Sequence, residues 1–467
     1  MAEPDKPQPV NEPPDIETDV LVVGAGACGI VAGLRAQEAG AEVIVVERDA
    51  VPSGSTALSS GFIPAPGTRF QKSLGIEDSP ELFSEDIQKK AAYGAHTVIT
   101  ATVTRQIAPA LEWLADRHGL EWTVLDDFLY PGHSAHRMHA VPEKTGAALM
   151  GRLLRAAETA GLTIVTNAEV VSPIRRDTGI SGVEIRRPDG QHETIEAKAI
   201  ILACNGFGGN AGLVSCHIRE MAGAPYFGHP GNTGDALLWG EAAGAKSRDL
   251  TAYQGHGSVA HPHGILITWA LMMEGGIQVN ASGQRFSNEH EGYSEQAVEV
   301  LAQPGAIAWD VYDGRLHRLG LGFPDYVQAV EAGAVRQGDV AGIASAIGCA
   351  PEALAATLDE TRKMAAGAPD PFGRDFTGKP PLGDDLYAIR VTGALFHTQG
   401  GLDVDARARV LRPDGTVIPN LHAGGGAACG VSGSKVEGYL SGNGLLTAVA
   451  LGFVAGQSAA EHAREGS

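Results

Sequence analysis

The stretch Asp19-Val20-Leu21-Val22-Val23-Gly24-Ala25-Gly26-Ala27-Cys28-Gly29 constrains this chain more than any other. An unbroken apolar strand runs into three glycines at G-x-G-x-x-G spacing, with helix-forming residues behind them. Gly24 permits the tight turn, Gly26 lets backbone approach a pyrophosphate, and Gly29 lets helix pack on strand. The helix N-terminus at Ala27 would then face phosphate with unpaired N–H groups and a partial positive charge. A second apolar strand closes at Glu47, 18 residues after Gly29, where a ribose-binding carboxylate belongs, and Arg48 follows it. Strand, glycines and acid together predict dinucleotide binding on a Rossmann-like α/β sheet. Without the flanking strand and acid, the glycines would read as an ordinary strand-to-helix turn.

At 467 residues the chain is long enough for two domains and a large core. Its 35 lysines and arginines against 55 acids give a net charge of −20, spread along the chain, which argues against nucleic acid or anionic membrane as partner. The five cysteines, Cys28, Cys204, Cys216, Cys349 and Cys429, form no C-x-x-C and no metal-ligand spacing, so no metal is expected and a reducing, cytoplasmic setting is. Residues 1–18 are acidic and proline-rich, reading as a disordered tail without the apolar core of a signal peptide. No apolar run reads as a membrane span, so stable membrane insertion is not expected.

Residues 19–250 alternate strand-like runs (21–23, 42–46, 163–166, 182–185, 199–203) with helical ones (30–39, 146–160), an α/β signature. Residues 251–394 differ in texture, with helices near 293–302 and 350–365 among several loops. Residues 395–467 return to strand and helix, through 401–404, a hairpin at Pro413-Asp414-Gly415 and a last helix over 444–464. The expectation is a Rossmann-like domain interrupted by a smaller α+β capping domain, with the last segment rejoining the first. Nothing in the sequence reads oligomeric state.

There is one G-x-G-x-x-G, and the cluster Gly424-Gly425-Gly426 lacks both its spacing and its distal acid. One such site and a cap favour FAD served by an external electron donor or acceptor. The small-residue loop 53–61 suits close approach to an isoalloxazine. Gly442-Asn443-Gly444-Leu445 precedes the last helix, whose N-terminal positive charge would stabilise a reduced, anionic flavin.

Further segments repeat the theme: Cys204-Asn205-Gly206-Phe207-Gly208-Gly209-Asn210, Thr233-Gly234-Asp235, Gly275-Gly276-Ile277-Gln278-Val279-Asn280, Arg285-Phe286-Ser287-Asn288-Glu289 and His397-Thr398-Gln399-Gly400-Gly401. With these the chain resembles the flavoprotein family of soluble fumarate reductases, succinate dehydrogenase flavoprotein subunits and 3-ketosteroid dehydrogenases. The resemblance implies a glutathione-reductase-like FAD-binding fold with a mobile cap. It implies cofactor contacts from Gly24, Gly26, Ala27, Gly29, Glu47, Arg48, Ser55, Thr56, Ser60 and Gly61. It also implies them from Glu169, Val170, Ala203, Asn205, Gly206, Asp235, Gly425, Gly442, Asn443 and Leu445. Ser55 stands where covalent members carry a flavin-linked histidine, so non-covalent FAD is expected, and Gly426 replaces a glutamate that touches flavin in many members.

The fumarate-reducing branch holds a dicarboxylate with arginines, because two carboxylates leaving water require guanidinium partners. At those two family positions this chain has Tyr293 and Tyr439. Tyrosines there resemble the ketosteroid dehydrogenases, in which one tyrosine removes a proton α to a ketone and the other polarises the ketone oxygen. Ser441 completes a Tyr-x-Ser pattern like that of the Δ4-(5α) members. A free tyrosine has a pKa of about 10, so Tyr293 needs a supporting neighbour, and Tyr130 in Phe128-Leu129-Tyr130-Pro131 is the candidate. His256 and His397 fall on family substrate-site histidines and would meet a carbonyl or polar substrate end. Packing tyrosines and structural histidines are the alternatives. His261 and His263 read as a solvated loop, and Arg285 as support for the cap.

The expected activity is therefore FAD-dependent dehydrogenation of CH–CH next to a ketone in a cyclic or steroid-like small molecule, or the reverse reduction. The alternative is a fumarate-reductase-like reductase of an unsaturated organic acid, with Lys435 and the histidines meeting carboxylate. A flavin-binding protein without turnover is a third class. Trp269, Met272 and Met273 read either as an apolar substrate wall or as core.

Overall fold

The structure, a computed structural model, describes residues 13–126, 129–176 and 179–465. Residues 1–12 of the expected tail, and Phe128 of the Tyr130 loop, lie outside the described residues. The chain folds into two units. One is built from the chain up to Leu213, Gly228–Ala252 and His397 onward; the other from Val214–Phe227 and Tyr253–Phe396.

The first unit is organised by the opening strand Ile16–Val23. It pairs in parallel with Val43–Val46 on one side and His192–Leu202 on the other. Thr163–Val165 and Val417–Ala423 extend the parallel sheet at its two ends, and Arg409–Leu411 closes one edge antiparallel. Val20, Leu21 and Val22 are all fully buried, which is why the strand reads as a continuous apolar run and not as an alternating one. The strand begins at Ile16, inside the stretch expected as tail to Thr18, because Ile16 and Thr18 find partners in Ile195 and Ala197. Glu169–Arg176 and Gly179–Arg186 form an antiparallel meander leading into His192–Leu202.

The helix Ala27–Glu38 crosses the last helix, Asn443–Glu465, at small residues. A side-chain carbon on Gly452 would lie 2.5 Å from Cys28 O, and one on Gly456 would lie 2.3 Å from Ala32 O. Contrary to the sequence expectation, that last helix has the length and hydropathy of a bilayer span, yet 72% of its apolar window is buried inside the fold, as a core helix.

The second unit is an antiparallel sheet in the order Ile265–Leu266, Tyr253–Ala260, Leu386–Thr398, Ala308–Asp313, Ile277–Val279, with Val335–Gly338 also on Leu386–Thr398. Trp269, Met272, Ile277, Val311, Leu386 and Ile389 belong to its core, which assigns Trp269 and Met272 to packing. The piece Val214–Phe227, unmarked in the sequence, joins this unit through Phe227 N–H donating to Leu395 O at 2.7 Å.

A buried ion cluster ties the core of this unit together. Glu289 accepts from Arg285 (2.7 Å) and Arg374 (3.0 Å), Arg285 also reaches Asp370 (2.6 Å), and Arg374 donates to the carbonyls of Gly276 and Met272. Burial pushes the Glu289 carboxyl up, but the charges and hydrogen bonds of Arg374 and Arg285 overcome it and hold the group at about 2.

Candidate active site

The phosphate end is built by the glycine turn. Gly24 has φ +103°, and a side-chain carbon there would lie 2.7 Å from Ala203 O. One on Gly29 would lie 1.8 Å from Gly24 O, so that position admits no side chain. At Gly26 the nearest atom would be Thr56 Oγ1 at 3.6 Å, an ordinary packing distance that leaves the position uncrowded. The Ala25 N–H donates to Glu47 Oε2 at 2.9 Å, tying the acid of the second strand to the turn. Thr56 Oγ1 accepts from Ala27 N–H at 3.1 Å, bringing the 53–61 loop to the same helix end.

Around this turn the other expected cofactor residues take defined places. Arg48 donates to Gly231 O (2.8 Å) and to Glu169 (3.1 Å), while Val170 pairs with Ile185 in the meander. Ser55 Oγ accepts from Asn232 Nδ2 at 2.9 Å and from His229 N–H at 3.3 Å. His229 in turn meets Asp49 at 2.8 Å. Sequence reasoning missed Asn232 and His229; their proximity to Thr233-Gly234-Asp235 was the available signal. Asp235 opens the helix Asp235–Ala242 and accepts from Thr233 Oγ1 at 2.9 Å. Ser60 is exposed, and beside it a side-chain carbon on Gly61 would lie 2.7 Å from Thr145 O.

Asn205 is held at φ +66°, with its Oδ1 accepting from Gly206 N–H at 2.8 Å. A side-chain carbon on Gly426 would meet that Oδ1 at 2.1 Å, so this backbone arrangement leaves no room for a side chain there. Gly425 precedes it at φ +59°.

The N-terminus of the last helix carries the remaining residues expected to meet the cofactor. Gly442, at φ +88°, lies against Pro64. Leu445 is half-buried in the first turn. Asn443 is fully buried; its Nδ2 donates to Ser432 Oγ at 3.2 Å, while its Oδ1 has no partner among the described residues. A buried acceptor left open at a helix N-terminus fits a dinucleotide carrying an N–H-bearing ring.

From Asn443 a polar chain continues. Ser432 Oγ donates to Gln399 Oε1 at 2.8 Å, and Gln399 Nε2 lies 3.0 Å from Nδ1 and 3.3 Å from Nε2 of His397. His397 Nδ1 also lies 3.1 Å from Thr398 O, an acceptor only, so Nδ1 carries the hydrogen and Nε2 receives Gln399. Both ring nitrogens of His397 thus have protein partners, and its ring meets that of Tyr439 edge-on at 5.7 Å. Burial lowers His397 to about 4, so it is neutral. Tyr439 and Ser441 are buried in the segment that feeds the last helix. Tyr130 lies edge-on to Phe62 at 6.3 Å. These four residues belong to the first unit, and Lys435 beside them in sequence is exposed.

His256 and Tyr293 belong to the second unit. Tyr293 is the first residue of the helix Tyr293–Leu301, after Gly292 at φ +145°. The His256 ring stacks on it at 4.9 Å, with planes 19° apart, and meets Trp269 edge-on at 5.7 Å. Ser258 N–H donates to His256 Nδ1 at 3.1 Å, so the neutral ring carries its hydrogen on Nε2. Burial lowers His256 to about 3. His261 and His263 lie in a turn, and no cluster of metal-ligating side chains occurs among the described residues.

The profile of the FAD binding domain family matches residues 19–445. A probable fumarate reductase of Shewanella frigidimarina is 29% identical over 96% of this chain and 76% of its own. The open conformation of a flavocytochrome c3 fumarate reductase is similar in structure, with TM-score 0.83 and 28% identity, over 96% of this chain and 79% of its own. The 3-ketosteroid-Δ4-(5α)-dehydrogenase of Rhodococcus jostii RHA1, solved with 4-androstene-3,17-dione, gives TM-score 0.77 and 26% identity, over 97% of this chain and 98% of its own.

Proposed function

Because the chain belongs to the FAD binding domain family, and is an FAD-dependent oxidoreductase of the fumarate reductase kind acting on CH–CH bonds, we propose that it works on the bond next to a ketone. Its substrate class would be a cyclic or steroid-like ketone, dehydrogenated to the α,β-unsaturated ketone or, with electrons supplied, formed from it. The observation that carries this reading is the pair Tyr293 and Tyr439, standing at the two positions where a dicarboxylate clamp needs arginine. Two further features support it. His256 and His397 are neutral and bring no positive charge, and Lys435 is exposed. A dianion leaving water would lack the counter-charge it needs, whereas a ketone requires none.

In this reading Tyr293 takes the acidic proton α to the ketone. Tyr439, with Ser441 in the same segment, donates a hydrogen bond to the oxygen as enolate charge grows there. The glycine turn and the Asn443 helix end would hold non-covalent FAD, which would supply two-electron acceptor chemistry at the β carbon. His256 stacks along Tyr293, and with Nδ1 accepting from Ser258 its Nε2–H is a further donor.

A second reading, a reductase of an unsaturated organic acid, draws on the fumarate reductase relative. Tyr293→Phe separates the two. Loss of turnover with FAD retained supports the ketone reading; a variant as active as the parent contradicts it.

A further inference from the structure

A buried charged cluster in the first unit sits behind the segment that carries Tyr439. Arg137 is 1% exposed. Its Nε and Nη2 donate to the two oxygens of Asp78, each at 2.9 Å, its Nη1 donates to Asp86 at 2.6 Å, and its guanidinium lies over the Phe83 ring at 4.4 Å. Asp86 also receives the backbone N–H of Ser134 at 2.9 Å, so the cluster grips the chain on both sides of residues 134–137. Such a group is costly to bury and is rigid once every donor and acceptor is satisfied.

His133 connects this cluster to residues 439–442. Its ring is buried, stacks on Phe83 at 5.8 Å, and has Nε2 3.0 Å from the backbone oxygen of Ser441. A carbonyl only accepts, so Nε2 carries the hydrogen and Nδ1 is the lone-pair nitrogen. Arg137 Nη1 lies 3.5 Å from that Nδ1, on the donor side, as this tautomer requires. A second contact acts beside the first: Gly132, at φ +83°, leaves room for Leu440, whose Cδ1 would be 2.7 Å from any side-chain carbon there. The two contacts fall on Leu440 and Ser441, within the turn that follows Tyr439 and in which Asn443 N–H donates to Leu440 O at 3.1 Å.

We propose that His133 is a positioning residue: through its hydrogen bond to the Ser441 carbonyl it fixes the Tyr439–Gly442 segment, and with it the Tyr439 phenol and the open acceptor of Asn443. The proposal rests on the reading of Tyr439 as the residue that polarises the substrate oxygen. Neither His133 nor the Arg137 cluster needs to touch substrate for this role.

The test uses the full-length, FAD-loaded protein with three changes, His133→Phe, His133→Gln and His133→Asn. Phe keeps the ring and removes the donor; Gln places an amide N–H near the Nε2 position; the Asn side chain falls short of it. Amide hydrogen exchange over residues 437–446, FAD content and the anaerobic rate of flavin bleaching by a saturated 3-ketosteroid are read together. In His133→Phe the exchange should rise ~10-fold or more as the turn opens locally. The bleaching rate at saturation should fall ~10–100-fold with half-saturation little changed and FAD retained. His133→Gln should restore most of both. If His133→Phe does not fold, the contrast between His133→Gln and His133→Asn carries the same comparison. Unchanged exchange in the donor-less variants, or equal loss in Gln and Asn, overturns the positioning role. If the parent protein is not bleached by the ketone at all, the ketone reading fails, and the exchange contrast still decides the role of His133 by itself.

Discussion

The imidazole of His256 lies face to face with the phenol of Tyr293, 4.9 Å between centroids. Its Nδ1 is occupied by Ser258 N–H, and Ser258 Oγ in turn donates to the buried Asp310. Tyr293 therefore begins its helix against a ring whose tautomer and plane are fixed by the sheet behind it.

His256→Ala removes that wall while leaving every residue of the glycine turn untouched. Turnover should fall ~10–100-fold through loss of orientation, with FAD content unchanged, measured by single-turnover bleaching. Because burial holds His256 at about 3, the parent's pH–rate profile should show no ionisation from this ring between about pH 5 and 8, and removing the ring should leave the profile's shape unaltered.

Asp310 gives a pH-dependence of opposite sign to the usual carboxylate. Burial raises it to about 7 from an ordinary 3.8, against the hydrogen bonds of Ser258 and Gln278. The folded state thus binds a proton that the unfolded state has released between these two values, so this group's contribution is full below 3.8 and fades as pH rises toward 7. Asp310→Asn should flatten that loss. Urea denaturation at several pH values should show parent and variant diverging across this range; parallel curves would refute the assignment.

Glu289 behaves the other way. At about 2 in the fold, it contributes above its ordinary 4.5 and loses that contribution as pH falls from there. Arg374→Met leaves Glu289 with one guanidinium and frees the carbonyls of Gly276 and Met272. Leaving a buried charge short of its partner costs ~3–5 kcal/mol, read as a lowered urea midpoint.

Gly29→Ala and Gly426→Glu test the cofactor frame from opposite ends. The first drives a methyl to 1.8 Å from Gly24 O and should destabilise by ~1–3 kcal/mol or more, with loss of bound FAD. The second adds the glutamate that the sequence resemblance implies for that position and should weaken FAD binding, because Asn205 Oδ1 occupies the needed space. Equilibrium titration of stripped protein with FAD measures both; tighter binding in Gly426→Glu would refute the steric account.

Much of this was legible in the sequence, for physical reasons that differ by region. The strand Ile16–Val23 and its glycines announce themselves because a parallel strand is buried on both faces and the turn beyond it tolerates no side chain at Gly29. The hairpin at Asp414-Gly415 and the helix Pro351–Ala365 follow local turn and capping chemistry. What stayed hidden is non-local. Val214–Phe227 joins the second unit through backbone hydrogen bonds of Pro225 and Phe227 with Leu395 and a ring stack of Phe227 on Phe396, and no periodicity marks it. Asn232 reaches Ser55 across 177 residues, and His133 reaches Ser441 across 308. Such pairs carry no spacing signal. His397 reads as a substrate residue in register, while its hydrogen bonds to Thr398 and Gln399 emerge only from the fold.

The most direct measurement is anaerobic. The FAD-loaded protein is mixed with saturated cyclic ketones, including 3-ketosteroids, while flavin absorbance near 450 nm is followed. Bleaching by a ketone, lost in Tyr293→Phe, is the predicted result. No bleaching by any ketone, with dithionite-reduced protein reoxidised by fumarate or another unsaturated acid, would contradict it and give the site to a carboxylate.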